Sequence, residues 1–405
     1  MHPREVTLKI LFVAPYVPSL IRVRPYNFIR QLASRHELTV LATGSRDELV
    51  AAGDLRRFCK RVHLVPLSRS SSLRSCAAAA LKGEPLQAAY CRSAELEGEM
   101  RRLLDVGSFD LVHVEHLRAA HVEAFIPAGM PAVYDSVDCI SLLLERTRAA
   151  SHSMRQRVIA AVELGRTRAY EAWLLRRFDR VAVTSPEDRA ALVSLAPGYP
   201  VSVVPNGVDL EYFHPMEGER DPATLVFSGK MSYHANVTAL LHLVRNIYPL
   251  VKRARPDARL LVVGSNPPAA VRALTADPTV TVTGHLHDIR DGLRGATVAV
   301  CPVTVKVGIQ NKVLEAMAMG IPVVSTPEGV AGLEAMGGRD LLVGGSPGEF
   351  AEQVCRVLDD TALQGRLADA GRRYVEGHHR WESAARLLDG LYAEAAGRRE
   401  PSVVV

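Results

Sequence analysis

The chain has 405 residues, of which 48% are hydrophobic and 23% charged, with a formal net charge of +5. This length exceeds the usual size of a single hydrophobic core, so it predicts two domains of ordinary globular composition. No apolar run reaches the ~20 residues of a membrane span, which disfavours an integral membrane protein. The aromatic content of 5% and the lack of a recognisable module disfavour nucleic-acid binding.

The six cysteines are scattered, with no CxxC pair and no HExxH sequence nearby. This pattern disfavours a zinc site or a disulfide framework, and it favours a cytoplasmic protein with reduced cysteines. The charge is uneven, because residues 1–200 carry +7 and residues 201–405 carry −2. The first half therefore favours an anionic acceptor or a peripheral contact with the inner membrane face, unless its arginines form an ordinary solvated surface.

Strand-like apolar runs alternate with helical patterns along the first half. The predicted strands are 8–14, 37–42, 110–114, 132–135 and 180–184, and the predicted helices are 25–35 and a long arginine-rich stretch, 140–178. Such alternation predicts an α/β domain with a parallel sheet and helices on both faces.

A turn at 203–209 separates this half from a second α/β series. Its predicted strands are 224–228, 259–263, 280–283 and 298–302, and its predicted helices are 237–253, 268–275 and 289–295. Gly229, Gly264 and Gly284 follow the ends of three strands, where ligands gather in open α/β sheets. We therefore predict two doubly wound domains, 1–200 and 201–380, with an amphipathic helix at 381–395 packing back on the first.

The most informative segment is GIQNKVLEAMAMGIPVVST, residues 308–326. It predicts a glycine-entered loop, a helix, a glycine stop and a buried strand. The loop and the first helical turn offer backbone N–H groups that attract phosphate. Glu315, one turn into the helix, is placed to accept hydrogen bonds from two vicinal hydroxyls of a ribose. Together these features predict a nucleoside diphosphate pocket, the alternative being an ordinary strand–helix unit with one solvated glutamate.

Five segments occur in the order found in the retaining glycosyltransferases of family 4. They are VVPNGVDLEYFHP, LVFSGKMSYHANVTALL, ARLLVVGSNP, VTVTGHLHDI and GIQNKVLEAMAMGIPVVSTPEG. The chain most resembles bacterial sugar transferases of exopolysaccharide and exosortase-linked clusters, strongly over 200–395 and only in pattern over 1–199. The resemblance implies the GT-B fold, in which two Rossmann-like domains face a cleft and the second binds the nucleotide sugar.

The resemblance also implies roles for individual residues. Glu315 matches the carboxylate that holds the ribose, and Lys230 matches a basic residue against the diphosphate. Asn236 stands where many members have a second lysine, and we hypothesise that Lys312 replaces that charge. The remaining donor-binding candidates are Gly229, Gly264, His285, Gly308, Ile309, Gln310 and Asn311.

Candidates in the first domain follow its predicted strands. His116 lies just beyond one strand, where the family often places a histidine near the anomeric carbon, and Glu115 is its rival. Asp138 is preferred over Asp135 as a proton acceptor after the next strand, although either carboxylate could instead cap a helix. Arg22 and Arg24, after the first strand, either face a phosphate or an anionic acceptor or lie at the surface.

The reaction implied is transfer of a sugar from a nucleoside diphosphate sugar to an acceptor hydroxyl, with retention. The acceptor is a glycan, a lipid-linked group or a small molecule. Lys312, Lys230 and a helix N-terminus would neutralise the leaving diphosphate, so we expect neither a metal nor another cofactor.

Many family members carry another glutamate eight residues before the one that Glu315 matches. Val307 occupies that position here. The sequence therefore does not predict which sugar the donor carries. An inverting transferase and a sugar-nucleotide epimerase are alternatives within the same fold. A catalytically silent, membrane-associated partner in polysaccharide assembly is a third, which the missing glutamate alone supports.

Overall fold

The computed structural model describes residues 7–45, 48, 51–150, 154–218, 220–305 and 308–397. Contacts divide the chain into two units. The first comprises Met1–Pro205 and Trp381–Val405, and the second comprises Asn206–Arg380.

The first unit is built on a seven-stranded sheet in which every pairing is parallel. Its strands are β1 (Lys9–Ala14), β2 (Glu37–Gly44), β3 (Arg61–Pro66), β4 (Leu111–Glu115), β5 (Ala132–Val137), β6 (Arg180–Val183) and β7 (Val201–Val203). They lie in the order β3-β2-β1-β4-β5-β6-β7. Because parallel strands need crossover connections, helices cover both faces, and a separate apolar cluster fills each side.

Helices of the first unit follow these strands. They are α1 (Val23–Leu32), α2 (Arg69–Lys82), α3 (Leu86–Ala89), α4 (Ala94–Val106), α5 (Ile140–Ala150), α6 (Met154–Leu175) and α7 (Pro186–Leu195), with 3-10 helices at Ala51–Arg57 and Ala120–Phe125. Ser68, Ser93 and Ser185 begin three of them by accepting a hydrogen bond from a backbone N–H group of the first turn.

The second unit has a six-stranded parallel sheet in the order β10-β9-β8-β11-β12-β13. Its strands are β8 (Thr224–Ser228), β9 (Arg259–Val263), β10 (Val280–Val282), β11 (Val298–Cys301), β12 (Val323–Ser325) and β13 (Leu342–Val343). Its helices are α8 (His234–His242), continued by a π-helical turn (Leu243–Ile247) into α9 (Tyr248–Ala254), then α10 (Ala269–Arg272), a 3-10 turn (Ala273–Ala276), α11 (Ile289–Leu293), α12 (Asn311–Ala318), α13 (Pro327–Val330), α14 (Pro347–Asp359) and α15 (Thr361–His378).

The last helix, α16 (Trp381–Gly397), packs on the first unit. The Trp381 ring meets Phe28 of α1 edge-on, with ring centroids 5.5 Å apart. The buried Tyr392 places its hydroxyl 2.9 Å from Nδ1 of His113 in β4. Burial of these large rings fixes the helix against the sheet of the first unit.

The two doubly wound parallel sheets confirm the predicted fold class. The predicted helical stretch 140–178 contains α5 and α6, which pack on each other, since Arg168 of α6 pairs with Glu145 of α5 at 3.0 Å. Within the described ranges, no helix is long and apolar enough to cross a membrane.

Candidate functional site

Two strand ends of the second unit approach each other closely at its carboxyl edge. Gly229 follows β8 and Gly264 follows β9, and the N–H group of Gly229 donates to the carbonyl of Val263 at 3.0 Å. A Cβ atom at position 264 would stand 1.9 Å from the carbonyl oxygen of Gly229. Only glycine therefore permits this approach, which brings the two turns together at one edge of the sheet.

An ammonium group lies beside these turns. Nζ of Lys312 donates to Oδ1 of Asn236 at 2.7 Å and lies 4.4 Å from the centroid of the Phe227 ring. Asn236 in turn donates through Nδ2 to the carbonyl of Lys230 at 3.0 Å. A side chain at Gly229 would meet both Asn236 and Lys312, so the glycine leaves room at the cation. Asn236 thus holds the charge of Lys312 at the position where the family resemblance led us to expect a second lysine.

Lys312 belongs to the first turn of α12. Gly308, with φ 44°, turns the preceding loop, and the nearly buried Ile309 anchors it. Gln310 is the N-cap residue but does not cap the helix with its side chain. Asn311 accepts a hydrogen bond from Nδ2 of Asn206 at 3.3 Å. The helix dipole and the Lys312 ammonium therefore add positive potential at the same place.

Glu315 lies one turn further along α12, on a helix whose other face is core. Burial raises the pKa of Glu315 to about 7, although the neighbouring Lys312 acts in the opposite direction. Burial likewise lowers the pKa of Lys312. Both side chains are only partly exposed, so their interactions with a polar ligand are stronger than they would be in open water.

Two predicted donor residues are less enclosed. The side chain of Lys230 is exposed, and so is that of His285, in the loop between β10 and α11. Both still belong to the carboxyl edge of the second sheet, since their strands neighbour each other through β9. Val307 lies outside the described residues.

In the first unit, a buried carboxyl group ends β4. Glu115 has no exposed surface, and its Oε1 accepts from the hydroxyl of Tyr16 at 3.0 Å. Its Oε2 has no hydrogen-bond partner among the described residues. Burial, assisted by the nearby Asp135 carboxylate, raises the pKa of Glu115 to about 8. Glu115 is therefore largely a neutral acid at neutral pH.

His116 follows immediately, in the left-handed backbone region with φ 64°. Its Nδ1 accepts the N–H group of Arg118 at 3.2 Å. Burial and the positive charges of Arg118 and Arg22 lower the pKa of His116 to about 3. A neutral imidazole that accepts at Nδ1 carries its proton at Nε2, so His116 is a hydrogen-bond donor rather than a base.

Of the two candidate aspartates, Asp135 lies in the next strand, β5, and Asp138 follows its last residue. Oδ1 of Asp138 accepts from Thr184 at 3.5 Å, and burial together with Asp188 raises the pKa of Asp138 to about 6. Asp138 is not the cap of α5, since Glu171 takes the first N–H group of that helix, from Ile140, at 2.8 Å.

The structure corrects the expectation for Arg24. It lies inside α1, only 4% exposed, and its Nε and Nη2 donate to the two oxygens of Asp135 at 2.8 and 3.0 Å. Its Nη1 also donates to the carbonyl of Val204 at 3.0 Å. Arg24 is therefore neither a surface arginine nor available to a phosphate, and Asp135 is committed to it. Arg22 lies outside this ion pair, with its guanidinium 4.5 Å from the Tyr16 ring centroid.

Three residues at these edges were not singled out from the sequence. Phe227 lies beneath the Lys312 ammonium, Asn206 contacts Asn311, and Tyr16 joins Glu115 to Arg22. Of these three residues, only Asn206 lies in a segment that the sequence marked, the Pro-Asn-Gly turn. Within the part of the chain that the structure describes, no cluster of three or more His, Cys, Asp or Glu side chains could hold a metal ion.

Comparisons with known proteins agree with this architecture. A model described as Glycosyltransferase Family 4 matches residues 22–212, and one described as Glycosyl transferases group 1 matches residues 222–360. Each model thus falls mainly within one of the two structural units.

A mannosyltransferase of Corynebacterium glutamicum, which is GDP-mannose-dependent and acts on monoacylated phosphatidylinositol monomannoside, is 30% identical over 46% of this chain and 55% of its own length. The chain therefore matches about half the length of that relative. Sucrose-phosphate synthase of Thermosynechococcus elongatus has a similar fold, with a TM-score of 0.74 and 16% identity over 97% of this chain and all of the other. HepE of Anabaena, solved with UDP and glucose, gives a TM-score of 0.67 and 16% identity over 96% of this chain and all of the other. The chain has the two-domain fold of the GT-B glycosyltransferases, and each of its units is similar to a glycosyltransferase family model.

Proposed function

We propose that the chain transfers a hexose from a nucleoside diphosphate sugar to an acceptor hydroxyl, with retention of configuration and without a metal ion. The observation that supports this proposal most directly is the Lys312 ammonium. Asn236 holds it beside Gly229, at the start of α12 and one turn from Glu315. A cation, a helix N-terminus and a partly buried carboxyl group within one turn match the charges and hydroxyls of a ribose diphosphate.

The chemistry follows from where charge develops. As the bond to the anomeric carbon breaks, the leaving diphosphate gains negative charge. Lys312 and the N-terminus of α12 are fixed before the reaction, so they stabilise that charge without reorganising. Glu315, in its ionised form, accepts both ribose hydroxyls and orients the donor. This arrangement neutralises the diphosphate with the chain's own groups.

Retention is favoured by the protonation state of His116. Because its Nδ1 accepts a backbone hydrogen bond, the imidazole presents an N–H donor and cannot remove a proton from an acceptor. The diphosphate oxygen is then the group that takes this proton, on the same face of the sugar. Asp138 remains the proton acceptor that an inverting mechanism would use.

The relatives suggest which substrates to try first. The Corynebacterium glutamicum relative uses GDP-mannose, and HepE was solved with UDP. We propose a GDP- or UDP-hexose as donor and a glycan or lipid-linked hydroxyl as acceptor, in the cytoplasmic synthesis of a polysaccharide or glycolipid.

The test is incubation with GDP-mannose, UDP-glucose and their parent nucleotides, with and without EDTA. We expect thermal stabilisation by one nucleotide family, turnover that EDTA leaves unchanged, and a product with the donor's anomeric configuration by NMR. An inverted product would contradict retention, and dependence on added metal would contradict the metal-free mechanism.

A further inference from the structure

Two neighbouring helices of the first unit expose aliphatic side chains to an unusual degree. Leu73 and Leu81 of α2 are 71% and 92% exposed. On α6, four residues are each more than half exposed: Met154, Val158, Ile159 and Val162. Single exposed apolar residues are ordinary, but a group of six on adjacent helices marks an interaction surface.

The exposed aliphatic residues of α6 form one stripe. Met154, Val158 and Val162 follow each other at intervals of four, and Ile159 borders them, while Ala160 and Leu164 on the opposite face are buried. Trp173 lies three helical turns beyond Val162 on the same face and is 45% exposed. Leu73 and Leu81 of α2, eight positions apart, share a face in the same way.

The two helices are joined by hydrogen bonds close to these stripes. Nη2 of Arg166 in α6 donates to the carbonyl of Ala80 in α2 at 3.4 Å, beside the exposed Leu81. Oε2 of Glu163 in α6 accepts from the backbone N–H of Leu86, at the start of α3, at 2.9 Å. The first bond places Leu81 beside the α6 stripe, and we call the six aliphatic residues of the two helices the α2–α6 surface.

The charge on this surface has one sign. Helix α2 contains no acidic residue and exposes Arg69, Arg74 and Lys82. Helix α6 has two acidic residues, Glu163 and Glu171, and both are buried, whereas its Arg157 is exposed. An apolar stripe that is bordered by cations and lacks exposed carboxylates is complementary to an anionic interface.

The arginines of residues 140–178, which the sequence pointed to, support contact with an anionic interface less strongly than the aliphatic stripe does. Many of those in residues 140–178 are paired within the unit: Arg146 with Glu187, Arg166 with Glu163, Arg168 with Glu145 and Arg177 with Glu123. The charge of these four arginines is thus compensated, and the aliphatic stripe distinguishes the surface.

We propose that the α2–α6 surface docks on an anionic lipid bilayer, with the aliphatic side chains entering the headgroup region and the basic side chains contacting lipid phosphates. Aliphatic side chains supply the insertion and cations select the anionic lipid. This site is separate from the proposed donor site and does not depend on its chemistry.

The chain provides its own reporter for the test. It has two tryptophans, Trp173 at the edge of the α2–α6 surface and Trp381, which is only 3% exposed. Vesicles of 70% phosphatidylcholine and 30% phosphatidylglycerol should bind the protein in flotation and shift the Trp173 emission to shorter wavelength. Pure phosphatidylcholine vesicles should bind at least ten-fold less, and raising the salt should release the protein because screening weakens charge attraction.

The double variant Val158→Ser with Val162→Ser should lower the partition coefficient at least ten-fold. Val106→Ser is the matched control, because Val106 is 67% exposed on α4 and should leave binding unchanged. Arg74→Gln with Lys82→Gln should remove the preference for the anionic lipid. Thermal stabilisation by nucleotide should be unchanged in all of these variants, which separates a failure of docking from a failure of the donor site.

Four results would overturn the proposal. Three of them are no binding to the anionic vesicles, equal binding to both vesicle types, and an equal loss of binding in Val106→Ser. A fourth is light scattering that shows a dimer in the parent protein and a monomer in the double variant. The α2–α6 surface would then be a contact between protein chains.

Discussion

Lys312 and Lys230 carry the same charge in different surroundings. Asn236 and the Phe227 ring hold Lys312, whereas Lys230 is exposed. Since a fixed cation stabilises a developing charge better than a mobile solvated one, Lys312→Ala should lower kcat/KM about 100-fold or more, and Lys230→Ala only a few-fold. Steady-state kinetics with the identified donor measure both. Equal, small losses would remove the idea that Lys312 replaces a second lysine at position 236.

Donor affinity should depend on pH through Glu315. Its pKa near 7 leaves it partly protonated in the free protein at neutral pH. Only the ionised form accepts both ribose hydroxyls, so the donor should bind more tightly as pH rises from 6 to 8, with release of a proton. Calorimetry in two buffers of different ionisation enthalpy measures that proton. Glu315→Gln should bind more weakly and show no such pH dependence. If the pH dependence of donor binding is unchanged in Glu315→Gln, a group other than Glu315 titrates in this range.

Glu115 should make stability depend on pH in a defined direction. Its pKa is near 4.5 when unfolded and about 8 in the fold, so the folded state retains a proton that the unfolded state loses. Stability attributable to this group therefore falls as pH rises between these values. Glu115→Gln, which imitates the neutral acid, should match the parent near pH 4.5 and gain about 1 kcal/mol or more by pH 8.5. Urea unfolding at both pH values measures this, with the exposed Glu95→Gln as the unaffected control.

The sequence predicted several site residues because they follow strand ends or begin a helix. Glu315 and Lys312 are examples, since the position along α12 alone places them at its first turns. It could not predict Arg24, because α1 begins before that residue and a partner 111 positions away, Asp135, neutralises it. It could not reveal the tautomer of His116 either, which depends on the backbone N–H of Arg118.

Among the structural elements, the turns after β8 and β9 depend on a single glycine. Gly264→Ala would force a Cβ atom against the carbonyl of Gly229, so we expect a loss of about 3 kcal/mol in stability and of nucleotide binding. Gly295→Ala, where an added Cβ meets no neighbour within 4 Å, should change stability by less than about 0.5 kcal/mol. Chemical denaturation with and without nucleotide compares the two variants. Similar effects of both substitutions would show that the turns after β8 and β9 need not approach each other this closely.

The C-terminal helix stabilises the first unit through its rings. Trp381→Ala should destabilise that unit by about 3–5 kcal/mol, because the indole is buried against Phe28. Leu387→Ala, on the exposed face of α16, should cost less than about 0.5 kcal/mol. Unfolding followed by circular dichroism measures both changes. An equally small effect of Trp381→Ala would mean that the first unit does not need this helix.

Strand prediction was most accurate where strands are buried and apolar. β8 (Thr224–Ser228) and β9 (Arg259–Val263) match their predicted bounds. β7 (Val201–Val203) was missed, because three residues before a turn carry too little periodicity to register. The helical stretch predicted at 140–178 contains α5 and α6, and composition alone does not show that these two helices pack on each other through Arg168 and Glu145.

At the scale of the whole molecule, each unit has its own apolar core, and both tryptophans belong to the first. A nucleotide that binds only the second unit should stabilise that unit by about 2.7 kcal/mol at a hundred times its Kd. Thermal unfolding followed by tryptophan emission should therefore stay unchanged when GDP or UDP is added, while a transition seen by circular dichroism moves to higher temperature. Lys312→Ala should reduce this movement. If nucleotide shifts the tryptophan transition by the same amount, the ligand either contacts the first unit or couples its unfolding to the second, and the donor site could not be assigned to the second unit alone.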